Sequence, residues 1–279
     1  MFNNGKIVFD RANGRLIRYI VDDKEYLLDG KHTAGLLPSV YRPMIDNYMY
    51  IDKTWKRQGL DTAQFELMSF DSKKLVGKVE VYIEFCLKIN GKTKMIVTNV
   101  YTISGNGCIE VESTLEMAKG YDLPKFGLTI ELPEEFYKVR YYGRGERENY
   151  ADFKEHSTIG IFDATAYNMY EPYIKPQDSG NRSESRWFEV YNDEGQGLLF
   201  TAVGKPFDFC VLPFDDSEVI KCKHRQELQP QHKTVVKIDG FMRGIGSNSC
   251  GEDTRVEFTH RSTTPIKYSF KIHPVTNIK

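Results

Sequence analysis

Between Lys78 and Leu87 apolar and polar residues alternate. Val79, Val81, Ile83, Phe85 and Leu87 fall on one side of an extended chain, Glu80 and Glu84 on the other. A period of two predicts a strand with one buried face. Asn90-Gly91 follows, a pair that accepts the positive φ angles of a tight hairpin, and leads into a second β-rich run, Met95–Ile103. After Gly105-Asn106-Gly107 the alternation resumes over Ile109–Met117. Further strand signals lie at Lys6–Asp10, Arg15–Val21, Arg186–Tyr191, Gly197–Val203, Thr234–Phe241 and Thr254–His260. Helical signals are few. Asp215–Leu228 opens with Asp and Ser, which suit an N-cap, and predicts about three turns. A weaker helical signal lies within Thr54–Ser69. Irregular stretches rich in Gly, Asn, Pro and Tyr occupy about 141–185 and 239–254, and loops of that length usually carry function. No fixed-period repeat and no low-complexity linker divides the chain. The pattern predicts an all-β fold, one large antiparallel sandwich spanning residues 1–279 as a single domain.

Composition narrows the partners. Apolar residues make up 40% and charged residues 28%, enough of the former to build a core in a chain of 279 residues. The net charge of −1 gives no general attraction to phosphate backbones or anionic lipid, and local basic clusters such as Lys221, Lys223 and Arg225 are short and flanked by acids. Neither a nucleic-acid nor a membrane partner is expected. Cys86, Cys108, Cys210, Cys222 and Cys250 are scattered, odd in number and without a C-x-x-C pair, which argues against a zinc site or a disulfide framework. Free thiols fit a reducing compartment. No run approaches the roughly 18 apolar residues of a membrane span, and the first residues lack the apolar core of a signal peptide. The expected location is the cytoplasm.

The irregular stretches carry a family resemblance. Tyr141–Phe153, YYGRGERENYADF, resembles the G-x-G-x-x-E-N-Y-x-D segment in the C-terminal domain of lactose-type β-galactosidases of glycoside hydrolase family 2. Met169–Val190, then Lys223–Leu228 (KHRQEL), then Ile238–Gly251 (IDGFMRGIGSNSCG) follow in that family's order. Near the start, Phe9–Leu28 resembles the opening of the same domain, and Tyr41–Asn47 (YRPMIDN) is similar to its R-A-P-x-D-N-D element. The resemblance runs from about residue 6 to about residue 272. It implies a galactose mutarotase-like super-sandwich, in agreement with the strand pattern. It also implies what is missing. The family's two catalytic glutamates lie on a TIM barrel, and no segment here resembles one. A retaining glycosidase needs two carboxyls about 5 Å apart across the scissile bond, and none of the 39 acidic residues belongs to a matching motif. The resemblance implies a non-catalytic C-terminal domain or small subunit with no catalytic residue of its own. Its partners would be the catalytic domains or a large subunit, and a galactoside such as lactose in the assembled enzyme. No cofactor is expected in this chain; the family's magnesium and sodium belong to the absent catalytic portion.

Several residues invite a role. In relatives the loop matching Gly244–Gly251 reaches the barrel's active site and stacks a tryptophan on the second sugar. Here Cys250 or Gly251 takes that place, so Asn248, Ser249, Cys250 and Gly251 are the candidate substrate-contact loop. The alternative is a turn with glycines for backbone reasons and a buried thiol. Tyr142, Glu148, Asn149, Arg186 and His224 are candidates for facing a sugar or a neighbouring domain. For Glu148 and Asn149 the competing reading is the satisfaction of buried loop groups. Arg182 and Arg186 beside Trp187 suit a sugar hydroxyl or a carboxylate, with an ion pair that organises the loop as the alternative for Arg186. Tyr48 replaces the second Asp of the relatives' D-N-D turn, which weakens any cation or clamp role there. Two rival functions use the same fold. A stand-alone mutarotase or epimerase predicts His224 and a carboxylate converging across an open cleft. A free carbohydrate-binding module predicts Tyr142, Tyr170 or Trp187 in an exposed platform.

Overall fold

The computed structural model describes residues 4–28, 35–247, 253–276 and 278. The chain opens with β1 (Gly5–Phe9), β2 (Leu16–Val21) and β3 (Lys24–Glu25), a small antiparallel sheet of their own. β4 (Gly35–Ser39) precedes helix α1 (Met49–Arg57). A meander of long strands follows: β5 (Phe65–Leu75), β6 (Lys78–Ile89), β7 (Lys92–Ser104) and β8 (Ile109–Met117). Next come β9 (Lys125–Pro133), β10 (Lys138–Gly145), β11 (Thr158–Thr165) and β12 (Arg182–Ser185). β13 (Trp187–Tyr191), β14 (Gly197–Val203) and β15 (Phe207–Leu212) lead to the short helix α2 (Asp216–Lys221), then β16 (Lys233–Met242) and β17 (Ile266–Val275).

Nine strands form one sheet in the order β11-β10-β13-β14-β17-β8-β7-β6-β5, and five form a second in the order β12-β15-β16-β9-β4. Strand pairs in both are antiparallel. The period-two segments sit as their pattern requires. Ile109, Val111, Leu115 and Met117 of β8 are buried while Glu112 and Glu116 face solvent. The β6–β7 hairpin turns on Asn90 and Gly91, with φ of 51° and 71°, the left-handed values that pair tolerates. Between the two sheets Phe188 of β13 stacks on Phe200 at 4.5 Å and on Phe209 of β15 at 4.2 Å, so one ring ties the layers together.

The five-stranded sheet is buried on both faces, and that explains what the alternation missed. β9 and β15 are almost wholly buried, so they read as unbroken apolar stretches with embedded charges. The charges on the far face are paired. Lys125 meets Asp239 at 2.8 Å, Lys233 meets both Glu131 and Asp215 at 2.7 Å, and Lys237 reaches Asp216 at the start of α2.

Four expectations need correction. The helix from Asp215 is shorter than its pattern suggests. Asp215 does cap it, accepting from Glu218 N, but it ends at Lys221 with Cys222 extended. Glu227 then accepts the amides of Lys223 and His224, which starts a separate 3-10 turn over Arg225–Glu227. The helical signal placed in Thr54–Ser69 belongs to α1, which ends at Arg57, and Phe65 onward is the edge strand β5. Thr254–His260 is not a strand but holds a 3-10 turn at Val256–Phe258. The stretch 141–185 is only partly irregular, because β10, β11 and β12 cross it.

Candidate functional site

β16 ends at Met242, and the chain leaves the sheet into the segment that carries the candidate loop. Asn248, Ser249, Cys250 and Gly251 lie outside the described residues. Both ends of their loop are described, and both are fastened. On one side Asp152 accepts the amides of Ile245 and Gly246 at 2.8 and 3.0 Å, and the hydroxyl of Thr254 at 2.5 Å. One carboxylate thereby joins the outgoing and returning strands of the loop. A side chain at Gly244 would meet Asp152 at 2.5 Å, so only glycine admits the clamp. Ser247 and Thr254 close the neck, hydroxyl to hydroxyl, at 2.9 Å.

On the other side the fully buried Arg243 binds Asp122 and Asp253, and Arg261 binds the same two carboxylates from the surface. Burial pushes the Asp253 carboxyl up, but the two guanidiniums outweigh it and hold that group below its ordinary range. The fully buried Arg42 underlies the whole arrangement. It donates to the carbonyls of Arg243 and Gly244 at 2.8 and 3.2 Å, stands 3.7 Å from Asp178 and lies over the Tyr150 ring.

The segment Glu148–Asp152 is the hub. Asn149 donates to the carbonyls of Arg144 and Arg147 and accepts from the amide and hydroxyl of Ser183. Its backbone exchanges bonds with Asn181. Glu148 accepts from Gly180 N at 2.9 Å and from the Tyr173 hydroxyl. Burial raises the Glu148 carboxyl above its ordinary range, against the pull of those two donors. Asp152 shows the opposite balance: burial pushes it up, but Thr254, Ile245 and Gly246 bring it below the usual carboxylate range.

Two hollows flank the hub. One, of about 200 Å³, lies between Asn47, Tyr150, Asp178 and Ile245; the other, of about 390 Å³, between Arg147, Phe153, His156 and Glu171. Glu148 and Tyr173 line both. Phe153 and Tyr173, which line them, are exposed, and the adjoining Ile174 is 87% exposed, an apolar rim of the kind that marks an interaction face.

The structure therefore brings Glu148 and Asn149 to the base of the candidate loop, while the other candidates stand elsewhere. Tyr142 faces Trp187 and Ile161 across the outer side of the nine-stranded sheet, with the Arg186 guanidinium 5.4 Å over its ring. Arg186 makes no ion pair among the described residues; its loop is organised by Glu184, which binds Arg144 and Lys154. Arg182 is buried against the Tyr141 hydroxyl. Tyr170 packs edge-on against Phe214 rather than beside Tyr142 and Trp187. His224 caps the 3-10 turn from an exposed position and lines none of the hollows described above. Among the described residues no group of three His, Cys, Asp or Glu could hold a metal ion, and no helix is long and apolar enough to cross a membrane. Sequence reasoning missed Arg42, Asp122, Asp152, Arg243, Asp253 and Arg261. Arg42, Asp152 and Arg243 stand inside the quoted motifs, so the signal was present.

Comparison with known proteins decides the family. A family model described as the β-galactosidase small chain matches residues 2–272. The chain belongs to the β-galactosidase small-chain family. A β-galactosidase of Lactobacillus delbrueckii subsp. bulgaricus is 31% identical over 264 residues, which cover 92% of this chain and 25% of the relative. A β-galactosidase of Actinobacillus pleuropneumoniae is 29% identical over 222 residues, covering 79% of this chain and 22% of the relative. The small-chain domain thus spans about a quarter of the length of these relatives. A galactose mutarotase-like protein of Clostridium acetobutylicum superposes with a TM-score of 0.55 at 8% identity, covering 98% of this chain and 93% of that one. That likeness is one of fold, and it makes the small-chain domain a galactose mutarotase-like super-sandwich.

Proposed function

We propose that this small-chain domain is the non-catalytic portion that completes a β-galactosidase, docking on a larger catalytic portion and holding Asn248–Gly251 toward its galactoside site. The observation that carries the reading is the doubly fastened loop base within an exposed apolar rim. The loop base is held by Asp152 at one side and by Arg243 and Arg261 at the other before any partner arrives. Preorganisation of that kind lowers the ordering cost of assembly. Phe153, Tyr173 and Ile174 supply the apolar surface that docking would bury. The family match over a quarter of a full β-galactosidase supports the same division of labour. In this reading the hydrolysed bond, the catalytic carboxylates, and the magnesium and sodium all belong to the partner, and lactose-like galactosides are the substrates. Free Cys86, Cys108, Cys210 and Cys222 support a reducing, cytoplasmic setting.

The test is hydrolysis of a chromogenic galactoside by the purified chain, alone and mixed with a cognate catalytic portion lacking this domain. The expected result is no turnover alone and recovery on mixing. Phe153→Asp with Ile174→Asp should weaken recovery without unfolding the chain, because both side chains are exposed. Hydrolysis by the rigorously purified chain alone, or no gain on mixing, overturns the proposal.

A further inference from the structure

The three-stranded sheet rests on the large one through Phe9, whose ring lies 5.0 Å from Tyr101 and 6.4 Å from Phe70, and through Tyr19, whose hydroxyl donates to the Gly107 carbonyl. Between the two sheets lies a groove of about 560 Å³ with an apolar floor of Ile7, Phe9, Phe70, Leu75, Val79 and Ile103. Two sheet edges border it. Among the described residues β1 pairs only with β2, and β5 only with β6, so each leaves one edge without a strand neighbour, and both strands line the groove. An apolar trough between two open edges fits an extended chain, which can bond along an edge and place alternate side chains into the floor.

Charge narrows the occupant. Arg11, Lys74 and Lys78 stand along the groove, and among the described residues no carboxylate lines it. Arg11 lies 5.3 Å over the Phe70 ring and Lys78 has Glu80 at 2.9 Å, while Lys73 and Lys74 sit side by side on the β5 edge. Lys73 and Lys74 make that end of the edge cationic, a device by which edge strands turn away like-charged strands. An acidic strand meets the opposite situation, because its carboxylates find cations in place.

We propose that this groove receives an extended segment of the catalytic portion in which apolar residues alternate with or are flanked by Asp and Glu. The inference rests on the assembly reading above but concerns a different face from the loop and its rim. The test is binding of the full chain to the catalytic portion by sedimentation or calorimetry at low and high salt. Arg11→Glu combined with Lys74→Glu should weaken assembly about tenfold or more and flatten its salt dependence. Both side chains are exposed, so the melting temperature should hold. A photo-cross-linking residue at Ser72, which also lines the groove, should capture a carboxylate-bearing peptide of the catalytic portion. Assembly at full affinity by the double variant, or a Ser72 cross-link to a second copy, overturns the groove assignment and leaves the assembly reading standing. Failure of the unaltered chain to bind the catalytic portion overturns both.

Discussion

Asp152→Ala should free the candidate loop. The carboxylate accepts three bonds, from Ile245 N, Gly246 N and the Thr254 hydroxyl, and each bond to a charged acceptor contributes about 1.5–3 kcal/mol net. Asp152, Ile245 and Gly246 are half-buried, so water replaces part of the loss and the total falls below three times the lower figure, to about 3 kcal/mol. For a domain of this size each kcal/mol lowers the melting temperature by about 2–4 °C, which sets the expected drop at about 6–12 °C. Asp152→Asn keeps one acceptor and should fall between the two. Hydrogen exchange localises the effect: the amides of Ile245 and Gly246 should lose protection in the alanine variant while those of β16 keep theirs. The pH dependence has a fixed sign. The Asp152 carboxyl is held below its ordinary range, so its contribution is complete above about pH 4 and is lost as pH falls through the folded value. The gap between wild type and Asp152→Ala should therefore narrow in acid. An alanine variant within 1 kcal/mol of wild type at pH 7, with exchange at 245 and 246 unchanged, would refute the clamp.

Other perturbations test the packing around it. Lys125→Met strands the buried Asp239 carboxylate and should cost about 3–5 kcal/mol in urea unfolding, with part of the loss restored by adding Asp239→Asn. Asp208 stands opposite Asp239 in the strand register, and burial, with help from Asp239, pushes its carboxyl up to about 7. A raised carboxyl favours the fold below its unfolded value and loses that contribution as pH rises through the folded one. Asp208→Asn should accordingly be the more stable protein at pH 8, by about 2–4 kcal/mol, and the two melting curves should converge only as pH falls to about 4, the range of an unfolded carboxyl. Gly143→Ala would bring a methyl group within 2.4 Å of the Ser185 hydroxyl and 3.0 Å of its Cα, and should cost about 1–3 kcal/mol in the same unfolding assay.

Where one face of a strand is wet, the sequence shows it. β6 and β8 alternate because Glu80, Glu112 and Glu116 need water while Val81, Val111 and Leu115 do not. Where both faces are covered, period disappears. β15 reads Phe-Asp-Phe-Cys-Val-Leu because Asp208 and Cys210 point at other buried groups rather than at solvent. β10 was hidden for a different reason. Gly143 and Gly145 look like loop residues, yet they are glycine because Ser185 and the Tyr141 hydroxyl occupy the space a Cβ would take. Thr254–His260 failed as a strand because its groups serve the loop: Thr254 bonds to Asp152, and the Phe258 carbonyl receives Gly244 N.

The same reasoning explains how little of the site was visible as chemistry. A catalytic motif announces itself because a reaction demands particular groups at particular spacings, whereas a loop anchor demands only that some donor meet some acceptor. Asp152, Asp122 and Arg42 are ordinary residues in the sequence, and they acquire meaning when segments more than a hundred residues apart meet. The E-N-Y-x-D run is the clearest case. Its polar members reach three separate segments: Glu148 and Tyr150 the loop before β12, at Gly180 and Asp178, Asn149 β12 itself, at Ser183, and Asp152 the segment after β16, at Ile245 and Thr254. A motif whose members all face inward in this way stores geometry rather than reactivity. Substitutions there should show first in the stability and exchange of the 244–255 loop, and only through that loop in the turnover of an assembled enzyme. Asn149→Ala tests the order of events. It removes the acceptor for both the Ser183 amide and hydroxyl, and should cost about 2–4 kcal/mol. If recovery of galactoside hydrolysis falls in this variant while its loop exchange and melting are unchanged, Asn149 acts on the substrate side and the anchoring account of this motif fails.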